Sequence, residues 1–228
     1  MKSLPRPNHP QPPKKILIVD DHPMTRHGLA VMIAREPDLA VCGEAADAQQ
    51  ALAAIDPLQP DLVLADITLP GKSGLEFIKD MAALHPGVAV LVISMHEETI
   101  YAERVLRAGG RGYVMKSEGG EKVLEAIHKV LRGEIYTSLA FSDAVLGTLA
   151  AGRPRVGYVK LSALTDREFE IFRLIGQGYS SGEISRLLNL SVKTISTHRV
   201  HIKQKLKLTT GTALVRHAVR WAGTEQML

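Results

Sequence analysis

A doubly wound α/β domain followed by a small all-α domain is the fold class predicted by three features of this 228-residue sequence. Between Lys14 and Arg132, short Val/Ile/Leu runs alternate with longer stretches of helical period, the pattern of repeated βα units around a parallel sheet. Beyond about residue 160 the strand-like runs stop, and hydroxyl residues with Glu three positions later open short helices. Charge divides at the same place: residues 1–155 carry 17 Lys and Arg against 19 Asp and Glu, whereas residues 156–228 carry 11 against 5.

Five strands are predicted at 15–20, 40–44, 61–66, 88–93 and 112–115, and five helices near 24–36, 47–56, 74–84, 97–108 and 119–132. Residues 1–13 hold five prolines and almost no large apolar side chain, so a disordered or extended leader precedes the first domain, 14–132. Gly133 ends the last of these helices, and a connection over 133–160 carries a short helix near 141–150 and then Ala151-Gly-Arg-Pro-Arg-Val-Gly157, which cannot continue a helix. In the second domain, 161–228, Thr165 with Glu168 forms a capping box for a helix to about Ile175, and Ser180 with Glu183 repeats it. Ser191 caps a helix to about Leu206, and Thr210 caps a last one reaching Trp221.

No apolar stretch reaches the length of a membrane span, and Met1-Lys-Ser-Leu-Pro-Arg-Pro7 lacks the apolar middle of a signal peptide, so a cytoplasmic protein is expected. The single cysteine, Cys42, rules out an intramolecular disulfide and a cysteine-based zinc site, and suits a buried strand position better than a reactive thiol. The basic second half points to a polyanion, nucleic acid before membrane.

Chemistry concentrates at strand ends. Asp66 closes the run Asp61-Leu-Val-Leu-Ala-Asp66, and Asp20-Asp21 closes Lys15-Ile-Leu-Ile-Val-Asp20. In a doubly wound sheet these ends share one rim, where three carboxylates repel one another unless a hard cation neutralises them. Mg²⁺ suits oxygen ligands and shares phosphate oxygens, and Asp66 then becomes a nucleophile toward a phosphoryl group. Ser94 and Lys116, at the ends of the next two strands, offer a hydroxyl and an ammonium for the remaining phosphate oxygens. Any one of these residues has a plain alternative as a helix cap or a solvated surface group; five at the ends of four strands weigh against it.

The helix from Val192 to Leu206 turns Ile195, Ile202 and Leu206 inward. Opposite them lie Lys193, Thr197, Val200, His201 and Gln204, flanked by Ser196 and Lys203. An exposed Val200 fits a thymine methyl better than it fits water. In the last helix Leu214, Ala218 and Trp221 form a core stripe, with Val215 and Val219 as a second apolar stripe beside it, open to a dimer contact or to cover by the connecting segment.

The first domain resembles the receiver domains of two-component response regulators: Asp20-Asp21, Asp66-Ile-Thr-Leu-Pro-Gly-Lys-Ser-Gly-Leu-Glu76, Ile93-Ser-Met-His-Glu-Glu98 and Gly112-Tyr-Val-Met-Lys116 carry the likeness. It implies a flavodoxin-like fold, with Asp66 as phosphoacceptor and Asp20, Asp21 and Asp66 holding Mg²⁺ with the backbone carbonyl of Thr68. It further implies Ser94 as the switch hydroxyl, Lys116 as the phosphate-binding lysine and Tyr113 as the switch aromatic. Ser117 stands where many receivers carry proline, and Met95 where a small residue is common, although Ser-Met-His itself resembles the NarL/FixJ subfamily. Leu164-Thr-Asp-Arg-Glu-Phe-Glu170, Gly176-Gln-Gly-Tyr-Ser-Ser-Gly-Glu-Ile184, Leu190-Ser-Val-Lys-Thr-Ile-Ser-Thr-His-Arg199 and Lys203-Gln-Lys-Leu206 resemble the LuxR-type helix-turn-helix.

That second resemblance implies a supporting helix over 180–188 and a recognition helix over 192–206 in the major groove, with Ser196, Thr197 and Val200 reading bases and Lys193, Thr194, His198 and Lys203 meeting phosphates. Together the two likenesses imply a DNA-binding transcriptional regulator, not an enzyme, phosphorylated by a sensor histidine kinase. A homodimer on an inverted-repeat duplex through Val215 and Val219 is expected, with RNA polymerase as a further partner. Two other readings stand beside it. An aspartyl-phosphate phosphatase needs an acid/base near its nucleophile, and no second carboxylate follows Asp66 within its loop. A constitutive DNA-binding protein with a receiver used only for dimerisation leaves the intact Asp20, Asp21, Asp66, Ser94 and Lys116 unexplained.

Overall fold

The computed structural model describes residues 12–143, 147, 161 and 163–225. Nearly all of the expected leader, over half of the expected short helix near 141–150, and the expected linker at 151–157 lie outside the described residues.

Five strands form one parallel sheet in the order β2-β1-β3-β4-β5: β1 (Lys14–Val19), β2 (Leu39–Ala45), β3 (Leu62–Asp66), β4 (Ala89–Ser94) and β5 (Gly112–Met115). The crossover helices are α1 (Pro23–Ile33), α2 (Ala48–Leu58), α3 (Gly74–Leu84), α4 (Glu98–Ala108) and α5 (Gly120–Leu131). Strand order reverses between β1 and β3, and the crevice at such a reversal is where open α/β sheets bind ligands. In this domain predicted and observed elements agree to within three residues at each end. The β1–β2 register shifts between Ile16 and Leu17, which pair with Val41 and Gly43, so Cys42 is skipped.

Both sheet faces are covered, as the near-continuous apolar strands require. One layer packs Leu17, Val19, Val63, Ala65, Val90 and Val92 against α2, α3 and α4, with Ile55, Phe77, Met81 and Val105 fully buried. The opposite layer packs Ile16, Ile18, Leu62, Leu64 and Ile93 against Leu29 and Ile33 of α1 and Ile127 and Val130 of α5. Each such side chain contributes about 1.5–3 kcal/mol on burial, enough to fix strand ends as rigid mounts.

Gly74 draws the β3–α3 loop tight. Its N–H donates to the Ile67 carbonyl at 3.2 Å, and a Cβ there would sit 2.4 Å from that same oxygen. The short loop after Asp66 is thereby held back over the rim.

The second domain comprises α6 (Asp166–Gly176), α7 (Ser181–Leu187), α8 (Val192–Lys205) and α9 (Gly211–Glu225). Every predicted cap forms. Thr165 and Ser180 complete capping boxes with Glu168 and Glu183, Ser191 accepts the Thr194 N–H at 3.0 Å, and Thr210 accepts the Ala213 N–H at 3.0 Å. Phe169, Phe172, Ile195, Ile202, Leu214 and Ala218 close its core. None of the helices, among the described residues, is long and apolar enough to cross a membrane.

Candidate functional site: a carboxylate rim and a helix-turn-helix

Asp66, the last residue of β3, and Asp20, just beyond β1, meet at the strand-order reversal. Asp20 is completely buried and Asp66 is 4% exposed. Lys116 places its Nζ 2.6 Å from Asp20 Oδ2 and 2.6 Å from Asp66 Oδ2, bridging the two carboxylates. The other oxygen of Asp66 accepts the Thr68 N–H at 3.0 Å, and Asp20 Oδ1 accepts the His22 N–H at 2.8 Å. Burial pushes the Asp66 pKa above the usual carboxylate value despite the bonds from Lys116 and Thr68. Burial pulls the Lys116 ammonium the other way, but its hydrogen bonds to Asp20 and Asp66 prevail and hold its pKa above the ordinary lysine value.

Asp20, Asp21, His22 and Asp66 each offer a ligand atom within 4.8 Å of one another, Asp20 and Asp66 buried and the other two exposed. Three carboxylates sharing one crevice form an oxygen-rich donor set that fits Mg²⁺. His22 is a member that sequence reasoning missed. Its Nδ1 lies 2.7 Å from Asp21 Oδ1, a placement created by the turn into α1 rather than by any spacing visible in the chain.

Ser94 ends β4, is fully buried, and accepts the His96 N–H on its Oγ at 3.1 Å. Tyr113, on the next strand, is also buried and donates its hydroxyl to the His96 carbonyl at 2.8 Å. Burial pushes the Tyr113 pKa well above the usual phenol value, so it stays a neutral donor. The expected site residues Asp20, Asp66 and Lys116 are therefore in direct contact, with Ser94 and Tyr113 joined to one another through His96.

His96 also connects the two domains. Its Nε2 lies 3.2 Å from Thr68 Oγ1 and 3.4 Å from Arg173 Nη1 on α6, and its ring stacks on Tyr101 at 5.3 Å between centroids. Burial, with Arg173 and Lys116 nearby, lowers its pKa to about 4. Beside it, Arg104 of α4 donates to the Leu164 and Leu161 carbonyls at 3.1 and 2.5 Å and to Asp166 Oδ1 at 3.0 Å. The same guanidinium lies over the Phe169 ring, 4.3 Å from its centroid, and Lys79 reaches the other oxygen of Asp166 at 2.5 Å. Among the sequence motifs only His96 stood near a quoted switch residue; Arg104 and Arg173 carried no signal, because their roles exist only once the domains pack.

On α8, Lys193, Ser196, Thr197 and Val200 are exposed, while Thr194, His198 and Lys203 are half-buried. Val200 is 44% exposed on an otherwise polar face. Ser196 and Thr197 donate their hydroxyls to the Val192 and Lys193 carbonyls one turn back, which leaves oxygen lone pairs facing outward. Arg199 turns inward, donating to Ser181 Oγ at 3.3 Å and tying α8 to α7. On α9, Leu214 and Ala218 are fully buried, whereas Val215 and Val219 are 38% and 49% exposed and form an apolar stripe beside them.

A rim of clustered carboxylates bridged by a lysine, joined to a compact helix-turn-helix, defines a class, the signal-receiving DNA-binding regulators. Residues 16–128 match the family model for the response regulator receiver domain, and residues 162–218 match that for bacterial regulatory proteins of the luxR family. The nitrate/nitrite response regulator NarL of Escherichia coli K12 is 35% identical over 200 residues, covering 87% of this chain and 91% of the relative. The oxygen regulatory protein NreC of Staphylococcus carnosus is 31% identical over 210 residues, covering 90% and 97%. Among solved structures, RcsB from Salmonella enterica serovar Typhimurium, bound to promoter P1flhDC in the presence of the phosphomimetic BeF3⁻, superposes with a TM-score of 0.66 at 25% identity, covering 90% and 98%. A LuxR-family two-component response regulator from Aurantimonas is 33% identical over a match covering 60% of this chain and 99% of that one, with a TM-score of 0.57.

The chain belongs to the two-component response regulators of the NarL/FixJ family, which are phosphorylation-controlled DNA-binding transcriptional regulators rather than enzymes.

Proposed function

We propose that Asp66 is the phosphoacceptor and that the resulting acyl phosphate controls how the second domain engages DNA in the cytoplasm. The donor is the phosphohistidine of a sensor kinase: an Asp66 oxygen forms the new O–P bond, the N–P bond breaks, and its electron pair returns to the kinase imidazole. Mg²⁺ supplies charge neutralisation between the carboxylates and the incoming phosphoryl oxygens. Asp20, Asp21, Asp66 and the Thr68 backbone carbonyl are its proposed ligands, with His22 orienting Asp21 at 2.7 Å. The observation that carries the reading is Lys116, whose ammonium sits 2.6 Å from both Asp20 and Asp66 and needs only a small movement to meet phosphoryl oxygens on Asp66.

Coupling to the second domain follows from His96. Ser94 Oγ and Thr68 Oγ1 both contact this residue, and Arg173 meets it from α6. Rotation of Ser94 Oγ toward a phosphoryl group takes the acceptor away from the His96 N–H and loosens the contact with Arg173. Docking leaves Ser196, Thr197 and Val200 exposed, so what it restrains is the orientation of the second domain rather than access to its base-reading side chains. Release lets two copies pair through Val215 and Val219 on an inverted repeat, with half-site centres about 34–36 Å apart or a multiple. In that complex Ser196, Thr197 and Val200 read the major groove while Lys193, Thr194, His198 and Lys203 meet phosphates. RcsB bound to a promoter in the presence of the phosphomimetic BeF3⁻ supports a DNA-bound state that coexists with an occupied acceptor site.

The test is DNA affinity of the full chain with and without a small phosphodonor and Mg²⁺. The reading expects tighter binding after phosphorylation; equal affinities remove the switch.

A further inference from the structure

A second cluster of metal-ligating side chains lies away from the carboxylate rim, between the first helix of the DNA-binding domain and its recognition helix. Glu168 on α6, with His198 and His201 one turn apart on α8, presents ligand atoms within 4.8 Å of one another. Glu168 is 3% exposed, and its two oxygens face different surroundings. Oε2 accepts the Thr165 N–H at 2.8 Å and the Lys205 ammonium at 2.6 Å. Oε1 faces His201 Nδ1 at 3.9 Å, beyond hydrogen-bond reach. Nδ1 of His198 is buried and has no hydrogen-bond partner, although buried polar atoms ordinarily have one.

We propose that Glu168, His198 and His201 form a binding site for a borderline transition-metal ion of the Zn²⁺ class. Two imidazoles and one carboxylate are the donor set such an ion favours, whereas Mg²⁺ and Ca²⁺ prefer oxygen alone. Glu168 binds through Oε1 alone, because Oε2 stays committed to Thr165 and Lys205, which orient the carboxylate from behind. His201, whose side chain is 52% exposed, supplies the movement needed to close the site to zinc–nitrogen bonds of about 2.0–2.1 Å, and water takes the fourth position. The ion joins α6 to α8 and engages His198, a proposed phosphate contact, so metal occupancy and the recognition helix become linked.

Cobalt(II) titration of the full chain, in Mg²⁺ sufficient to occupy the carboxylate rim, reads the site through its visible d–d bands. One equivalent bound through nitrogen ligands and displaced by Zn²⁺ is the expected result. His201→Ala should weaken binding by at least the ~10–100-fold typical of losing an outer-shell partner, and should abolish the rise in Tm that Zn²⁺ gives the unsubstituted chain. His201→Cys should retain binding and add thiolate-to-cobalt charge transfer. The double variant His22→Ala/His128→Ala removes the imidazoles of the two other clusters, in which His22 and His128 lie, and should keep the cobalt spectrum. No cobalt spectrum, or one that survives His201→Ala and disappears in that double variant, overturns the proposal.

Discussion

Arg104→Ala removes a side chain that bridges the two domains through several contacts at once. The loss comprises donation to the Leu161 and Leu164 carbonyls, the ion pair with Asp166 at 3.0 Å, and the guanidinium–Phe169 contact at 4.3 Å. Hydrogen bonds to charged groups net about 1.5–3 kcal/mol each, and the aromatic contact adds about 0.5–2 kcal/mol. Two facts pull the total toward the low end: Asp166 keeps Lys79 at 2.5 Å, and the Arg104 and Asp166 side chains are 13% and 15% exposed rather than sealed. The low end of that sum is about 5 kcal/mol, and water that satisfies the freed Leu161 and Leu164 carbonyls offsets part of it, so the docking equilibrium should weaken by about 2–4 kcal/mol, or roughly 30–1000-fold at 1.36 kcal/mol per decade. Unphosphorylated Arg104→Ala should bind a fluorescent inverted-repeat duplex more tightly than the unsubstituted chain, up to the limit set by the fraction initially docked. Arg107→Ala is the control, since Arg107 lies one turn along α4 and pairs with Glu103 at a 70% exposed position. Unchanged DNA affinity in Arg104→Ala, with small-angle scattering showing the domains separated, would refute docking as a restraint.

Lys203→Ala should weaken binding to all duplex sequences alike and flatten the salt dependence by about one unit in log–log slope, measured by anisotropy across ionic strengths; loss confined to one sequence would make Lys203 a base reader. Val215→Glu places a charge on the exposed stripe of α9 and should halve the protein stoichiometry on an inverted repeat in analytical ultracentrifugation; an unchanged two-to-one complex would remove this stripe from the dimer contact. His96 gives a pH dependence. Its folded pKa of about 4 lies below the ordinary 6.5, so the unfolded chain binds the extra proton between those values and stability falls as pH drops from 6.5 toward 4. His96→Gln should flatten that part of the urea-unfolding profile, and an unaltered slope would assign the acid sensitivity to other groups.

The sheet was legible because its evidence is local. Leu62-Val-Leu-Ala-Asp66 is buried throughout, as an apolar run between helices on both faces must be, and the position of Asp66 at its end follows directly. Thr165, Ser180 and Ser191 were equally legible, since a capping box needs only residues three apart. The β1–β2 irregularity was not: skipping Cys42 brings Gly43 against Leu58, where a Cβ would meet Cδ1 at 2.5 Å, and that fit depends on α2. His22, Arg104 and Arg173 were missed for the same reason. Arg104 reads as one more basic residue in a helix until Asp166, 62 positions later, is brought beside it. Arg199, on the recognition helix, turns inward because α7 offers Ser181 as its partner, a contact no local spacing announces.

Intact-mass measurement after incubation with Mg²⁺ and a small phosphodonor bears most directly on Asp66. The unsubstituted chain should gain one hydroxylamine-labile phosphoryl group, and Asp66→Asn, which preserves side-chain size while removing the nucleophilic carboxylate, should gain none. A phosphoryl adduct of equal yield on Asp66→Asn, or none on the unsubstituted chain, would contradict the assignment of Asp66 as the phosphoacceptor.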